Sequence, residues 1–137
     1  MLENLKVDPE PPLHVGLTYN LKRSVPGAVP DDQAEYDSMD TVFAIRAALE
    51  RLPCRVTLLE ADETLPAKLI AHRPDIVFNI AEGRGGRGRE AQVPAILSFL
   101  GIPFTGSDET TLCICLDKAL AKKLVAREGV KIPRFRV

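Results

Sequence analysis

The feature that most constrains this chain is a glycine-rich loop between an apolar run and a helix-forming segment. Residues 75–80 read Asp-Ile-Val-Phe-Asn-Ile, and their β-branched and aromatic side chains predict a buried strand. Residues 82–90 follow with four glycines and three arginines. Residues 91–100 are apolar enough to predict a helix packed on a sheet. This order of buried strand, glycine loop and helix is typical of α/β proteins, and the loop is the part we expect to bind a ligand.

The rest of the chain repeats this alternation. Strands are predicted at 13–19, 55–59 and 76–80, with a very short one inside 101–107. Helices are predicted at 38–49 with Asp37 or Ser38 as N-cap, at 63–72, at 91–100, and at 110–128 with Gly129 as the stop. The pattern predicts a Rossmann-like, open and mostly parallel sheet with helices on both faces.

Ligands of such sheets bind at the carboxyl ends of the strands. Here those ends are residues 19–37, 80–90 and 105–109. The first of these segments is long, acidic and without apolar periodicity, and such loops are usually functional or disordered. We therefore expect a ligand site where the three segments meet.

The predicted domain boundaries leave two short flanks. Residues 1–12 are polar and proline-containing, which predicts a flexible lead-in, and residues 13–133 form a single domain. Residues 134–137 are expected to begin a connection to a further domain, because the extended segment that starts at Ile132 stops without a turn. We expect the chain to be a fragment of a longer protein.

Composition excludes several classes of protein. With 137 residues the chain can form one proper core, and a net charge of -1 argues against a nucleic-acid-coating protein. No apolar run approaches the roughly 20 residues that a membrane helix needs, and the N-terminus lacks a signal-peptide layout. Three cysteines make a disulfide framework improbable and favour a cytoplasmic location with reduced thiols.

Few side chains outside the loop suggest chemistry. Cys113 and Cys115 point to different faces of a helix, so we expect buried small hydrophobes rather than metal ligands. His14 and His72 have no partner at ligand spacing and are predicted to be structural. No metal site is predicted in this chain.

The glycine loop admits three hypotheses. Gly83, Gly85 and Gly88 spell G-x-G-x-x-G, and Asp108 lies about where a ribose-binding acid would sit, which suggests a dinucleotide site. A flexible glycine turn with solvated arginines is the plainer alternative. A loop that presents amides and the guanidinium groups of Arg84 and Arg87 to an anionic ligand is the third and favoured one.

Several ordered motifs resemble one enzyme family. Phe-Asn-Ile-Ala-Glu-Gly at 78–83, Leu-Gly-Ile-Pro-Phe-Thr-Gly-Ser at 100–107, Leu-Asp-Lys at 116–118 and Ile-Pro at 132–133 resemble the D-alanine–D-alanine ligases of the ATP-grasp superfamily. The resemblance implies that the chain is the family's N-terminal, pre-ATP-grasp domain. It also implies that the ATP-grasp domains, which bind ATP and magnesium, are absent from these residues.

The resemblance further implies a function. Such ligases phosphorylate one amino acid's carboxylate with ATP, and the amine of a second attacks the acyl phosphate, a step in making a cell wall peptidoglycan precursor. Lys118 matches a lysine that reaches toward ATP phosphate, and the loop residues Glu82, Gly85 and Gly86 match positions near substrate and transferred phosphate. The expected partners are the missing domains, amino-acid substrates and a second copy in a homodimer. The chain alone is expected to be inactive.

Three positions depart from the family pattern. Glu82 stands where the ligases usually have histidine, and Arg-Gly-Arg-Glu at 87–90 replaces Glu-Asp-Gly. Glu35 matches only loosely the glutamate that holds the first substrate's amine. These changes raise the hypothesis of a related carboxylate–amine ligase with another substrate. Arg84 and Arg87 are further candidates for substrate binding. A stand-alone Rossmann-like nucleotide-binding module and a non-catalytic regulatory domain are the alternatives.

Overall fold

The computed structural model describes residues 12–23 and 33–136 of the chain. In chain order its elements are β1 (Leu13–Tyr19), α1 (Met39–Leu49), β2 (Cys54–Glu60), α2 (Leu65–His72), β3 (Ile76–Asn79), a short 3-10 helix (Arg89–Ala91), α3 (Gln92–Leu100), α4 (Glu109–Leu116) and α5 (Lys118–Arg127). None of the helices in these two ranges is long and apolar enough to cross a membrane. All but the last residue of the lead-in predicted at 1–12 lies outside the described residues.

The three strands form one parallel sheet in the order β2-β1-β3. Leu17 in the central strand pairs with Leu58 on one side and with Phe78 on the other. Every residue of β1 after Leu13 is buried, as expected for the middle strand of a sheet covered on both faces.

The very short strand predicted inside 101–107 is reduced to one parallel bridge, between Val77 and Phe104. The amide of Val77 donates to the carbonyl of Pro103 at 2.8 Å, and the amide of Thr105 donates to the carbonyl of Val77 at 2.9 Å. Pairing stays this short because Pro103 has no N–H to donate and Gly106 adopts a positive φ. The bridge nevertheless places 104–107 beside the end of β3.

One face of the sheet packs against α2 and α3. Leu59 and Val77 from the sheet, Leu69 from α2 and Leu97 from α3 are fully buried together. Each such side chain contributes about 1.5–3 kcal/mol by leaving water. Gly16 of β1 makes room for them, since a Cβ there would lie 2.9 Å from Leu59 Cδ1.

The opposite face packs against α1. Leu17 and Tyr19 contact Val42 there. Ser38 caps α1 through its hydroxyl, which accepts from the amide of Thr41 at 3.2 Å. Helices on both faces of a parallel sheet confirm the predicted fold class.

The prediction of a single helix at 110–128 is wrong in one respect, because the structure has two helices in that range. Asp117 separates α4 from α5 and leaves the helical conformation, with φ -80° and ψ 90°. Its carboxylate caps α5 by accepting from the amides of Ala119 and Leu120. The Asp117 side chain thus competes with backbone carbonyls for the amide hydrogen bonds of the helix. One helix therefore ends and the next begins at this residue. Gly129, with φ 80°, stops α5 as predicted.

One further expectation for the C-terminal third needs correction. Cys113 and Cys115 are exposed rather than buried, since neither α4 nor α5 buries any residue in the described structure. The extended segment that starts at Ile132 forms no regular strand as far as Arg136. His14, by contrast, is buried and its Nε2 lies 2.8 Å from Thr57 Oγ1, in keeping with a structural role.

Candidate functional site

A cleft of about 420 Å³ opens at the carboxyl edge of the sheet. All three segments named from the sequence contribute to it. Its polar lining residues are Glu35, Asp37, Asn79, Glu82, Glu90 and Ser107. The apolar floor comes from Ile45 of α1, Ile80 after β3 and Leu112 of α4. The cleft therefore lies where parallel α/β sheets bind their ligands.

Asn20 fixes the first residues of the glycine loop. This residue follows β1 directly and is 5% exposed. Its Oδ1 accepts from the amides of Glu82 and Gly83, both at 2.8 Å. Its Nδ2 donates to the carbonyl of Ala61, beyond β2, at 3.2 Å. One buried amide side chain thus joins the ends of β1 and β2 to the loop.

Two further side chains complete this anchorage. The Tyr36 hydroxyl donates to the carbonyl of Gly83 at 2.8 Å. Gln92, at the start of α3, accepts from the amide of Arg84 at 2.9 Å and donates to the carbonyl of Gly85 at 3.0 Å. We call residues 82–84 the loop base, because their backbone groups are held by these side chains.

Gly83 is the glycine that the loop base requires. Its φ is +77°, and a Cβ on it would lie 2.0 Å from the carbonyl oxygen of Arg89. No side chain fits there without moving the backbone. The loop therefore turns back on itself at Gly83, which carries Glu82 into the cleft.

Residues 85–87, which we call the loop tip, are exposed. Gly85 and Gly86 have φ of +132° and +88°, and a Cβ on either would meet no atom of the described chain within 4 Å. The amides of Gly85, Gly86 and Arg87 have no acceptor among the described residues. Successive free amides in a glycine-rich turn suit an anion.

The cleft is strongly acidic at its centre. Burial raises the pKa of Glu82, and the negative charges of Glu90 and Glu35 raise it further, although Arg89 opposes them. Burial also raises the pKa of Asp37. Arg89 forms an ion pair with Glu35, so one carboxylate in the cleft is neutralised by the loop itself. A ligand group that enters between Glu82 and Asp37 meets negatively charged carboxylates, which accept hydrogen bonds.

The arginines of the loop do not face this cleft together. Arg84 lies on the outer side, where its Nη1 is 2.6 Å from Glu63 Oε2, and it lines a neighbouring cleft of about 390 Å³. Arg87 extends from the tip to an ion pair with Asp117. The loop does present guanidinium groups, but each one already has an acidic partner within the chain.

Lys118 does not line the cleft. It is the first residue of α5, and its Nζ donates to the carbonyl of Cys115 at the end of α4, at 3.2 Å. The sequence-predicted candidates thus divide into Glu35 and Glu82 at the cleft, Gly85, Gly86 and Arg87 at the tip, and Arg84 and Lys118 away from both.

Asp108 has a different role from the one that the dinucleotide hypothesis gives it. It is the N-cap of α4, and its two carboxylate oxygens accept from the amide and the hydroxyl of Thr111. A carboxylate that is occupied in this way is a poor candidate for a ribose hydroxyl. The contacts of Asp108 therefore do not support the dinucleotide hypothesis.

Sequence reasoning missed Asn20, Tyr36 and Gln92. Asn20 had one usable signal, since it is the first polar residue after a strand whose carboxyl end was expected to face the ligand. Tyr36 and Gln92 lie in segments whose pattern suggested only a loop and an apolar helix. Their role depends on contacts with residues 7 to 47 positions away.

The parallel sheet defines an α/β domain, and its loop-lined cleft is the candidate ligand site. No protein-family model matches the chain. The D-alanine–D-alanine ligase of Gloeobacter violaceus is 35% identical over 94 residues, which are 69% of this chain and 30% of that protein. The ligase of Aquifex aeolicus is 36% identical over 96 residues, 70% of this chain and 32% of that protein. The chain is homologous to the N-terminal third of the D-alanine–D-alanine ligases.

Solved structures agree on the fold. The D-alanine–D-alanine ligase from Bacillus anthracis complexed with ATP matches with a TM-score of 0.66 at 23% identity, over 89% of this chain and 38% of that one. The D-alanine–D-alanine ligase from Aeromonas hydrophila matches with a TM-score of 0.64 at 18% identity, over 91% of this chain and 50% of that one. At such identities the match shows the fold alone. The chain spans about a third of the length of the curated ligases it matches.

Proposed function

We propose that this chain is the N-terminal, substrate-side domain of an ATP-dependent carboxylate–amine ligase. The observation that carries the proposal is the cleft itself, which is lined by Glu35 and by the two end residues of the glycine loop, Glu82 and Glu90, at one edge of a ligase-like fold. In this proposal residues 13–133 are one domain, residues 1–12 precede it and residues 134–137 lead into ATP-grasp domains. A cytoplasmic location belongs to the same proposal.

The loop and the cleft have different roles in such a reaction. Transfer of a phosphoryl group to a carboxylate develops negative charge, which free amides stabilise when they are already in place. The tip amides of Gly85 and Gly86 suit that task because no group of the described chain occupies them. The cleft carboxylates suit the ammonium group of an amino acid, because an opposite charge nearby favours their ionised form.

Lys118 is proposed to reach ATP phosphate, as the matching lysine of the family does. Its side chain is exposed and is held by a single carbonyl, so it can leave that contact at little cost. Magnesium is assigned to the ATP-grasp domains. In the described part of the chain, no group of three or more His, Cys, Asp or Glu side chains could hold a metal ion.

Glu82 supports a substrate other than D-alanine. The ligases usually have histidine at this position, which can be cationic, whereas Glu82 is an acid among Glu35, Asp37 and Glu90. The reversal of charge at one wall of the cleft changes which amino acid fits. D-alanine is therefore one test substrate within a panel that includes amino acids with cationic side chains.

A titration of the 137-residue chain tests the proposal. We expect ATP with magnesium, at a concentration high enough to compensate for the absent ATP-grasp domains, to shift the NMR amide signals of Gly85, Gly86 and Lys118, and a fitting amino acid to shift those of Glu82. Lys118→Ala should weaken the ATP response, whereas Lys123→Ala, on the same helix, should not. The chain alone should release no phosphate from ATP and D-alanine.

Two results would overturn the proposal. One is robust phosphate release by the chain alone, which would make it a complete catalyst. The other is a saturable response of the loop to NADH that Gly85→Ala abolishes, with no response to ATP. That pattern would favour the stand-alone nucleotide-binding module.

A further inference from the structure

We infer that Arg87 is a positioning residue that ties the loop tip to the start of α5 and so holds Lys118 in place. The importance of Lys118 rests on the proposed function. The tie itself rests on the contacts of Arg87 and Asp117 alone, so the two can fail separately.

Asp117 uses its two carboxylate oxygens for two different tasks. Oδ1 accepts from the amides of Ala119 and Leu120, each at 3.1 Å, and this caps α5. Oδ2 accepts from the Arg87 guanidinium. The charge of Arg87 therefore orients the same side chain that begins α5. Removing the arginine leaves the cap with one free oxygen and more rotational freedom.

The junction also sets the path of Lys118. This residue follows Asp117 directly, and its Nζ donates to Cys115 on the α4 side of the break. A change in the angle between α4 and α5 would move the Lys118 ammonium relative to the loop. Asp117 is the residue at which that angle is set, because its backbone is the non-helical link.

The three loop arginines pair with different parts of the molecule. Arg84 pairs with Glu63 before α2, and Arg89 pairs with Glu35 in the segment before α1. Of the three, Arg87 is the one whose ion pair reaches the α4–α5 junction in the described structure. This makes Arg84→Ala a matched control, since it removes an equivalent charge and an equivalent ion pair from the same loop.

The size of the expected effect follows from exposure. The Arg87 side chain is 88% exposed and that of Asp117 is 18% exposed. Solvent weakens an ion pair of this kind and salt screens it. We therefore expect a modest and salt-sensitive effect, confined to the start of α5.

Amide hydrogen exchange of Ala119 and Leu120, measured by NMR on the 137-residue chain, tests the inference. Arg87→Ala should raise both exchange rates about two- to fivefold, and Arg84→Ala should leave them unchanged. Arg87→Lys should restore most of the protection, because an ammonium group can replace the charge. In roughly 1 M salt the unaltered chain should approach the rates of Arg87→Ala.

Asp117→Asn separates the cap from the ion pair, because asparagine caps helices as well as aspartate does. Asp117→Asn alone should shift the Arg87 Nε–Hε signal. In this background Arg87→Ala should have no further effect on Ala119 and Leu120. Equal exchange in Arg87→Ala and Arg84→Ala, or effects of Arg87→Ala and Asp117→Asn that simply add, would overturn the inference. If the tie is found but the chain alone releases phosphate from ATP and D-alanine, the proposed function fails and the inference stands.

Discussion

The loop base and the loop tip are adjacent in sequence and similar in composition, yet the fold treats them in opposite ways. The base is held by Asn20, Tyr36 and Gln92, and Gly83 has no room for a side chain. The tip glycines face open space within the described structure, and their amides have no acceptor there. Glycine therefore serves two purposes in one loop. At the base it permits close approach of backbone, and at the tip it leaves backbone available.

Among the variants of the loop and its anchors, Gly83→Ala in the loop base should reduce the free energy of unfolding most. Its Cβ would lie 2.0 Å from the Arg89 carbonyl oxygen, and φ is already positive, so strain and overlap both act. We expect a loss of about 3 kcal/mol or more in the free energy of unfolding, measured with urea. Gly129→Ala, at a similar φ but with open space, should cost about 1 kcal/mol. Equal losses would show that the base is not closely packed.

Asn20→Ala should have the next largest effect. It leaves two amides and the carbonyl of Ala61 without their partner at a position that is 5% exposed. We expect a loss of about 2–4 kcal/mol in urea unfolding. Gln92→Ala also removes two hydrogen bonds, but solvent reaches both, so it should cost less than about 1 kcal/mol. A cost for Gln92→Ala as large as that for Asn20→Ala would contradict the view that burial makes Asn20 the main anchor.

Gly86→Ala tests the tip. Here the positive φ of 88° is the sole source of strain, because no described atom would meet the new Cβ. We expect a cost of about 1 kcal/mol. Gly86→Asn should cost less, because asparagine tolerates the left-handed region better than alanine does. If Gly86→Ala lowers the free energy of unfolding as much as Gly83→Ala does, the loop base and the loop tip do not differ in packing.

Glu82→Gln should have the smallest effect and should be stabilising. Burial and the neighbouring carboxylates raise the pKa of Glu82 in the folded chain, so the ionised side chain opposes folding. This penalty is fully present above the folded pKa and vanishes below the unfolded pKa of about 4.3. We expect Glu82→Gln to raise the melting temperature by about 1–3 °C at pH 7 and to give no gain near pH 3.

Glu63→Gln is the control for that experiment. The pKa of Glu63 is lowered, by a hydrogen bond to its own backbone amide and by Arg84, so its ionised form favours folding. Glu63→Gln should therefore give no stabilisation at pH 7. A gain for both variants would mean that general charge reduction, and not the setting of Glu82, accounts for the result.

The parts that sequence predicted well are those that depend on neighbours in the chain. The alternation of strands and helices, the Ser38 cap, the Gly129 stop and the position of the loop all follow from short-range patterns. The helix predicted at 110–128 failed at one residue for the same reason. The apolar, helix-forming pattern of this segment continues through Asp117. The pattern alone did not show whether Asp117 lies within one continuous helix or ends one helix and caps the next.

The order of elements can be predicted from the sequence alone, and with it the α/β fold and the edge of the sheet at which a cleft forms. Which side chains meet there depends on the tertiary structure. Asn20 reaches Glu82 and Gly83 across more than 60 residues, and Arg87 reaches Asp117 across 30. The physical reason is that secondary structure arises from interactions between residues close along the chain, whereas each of these contacts exists only after the parallel strands have paired.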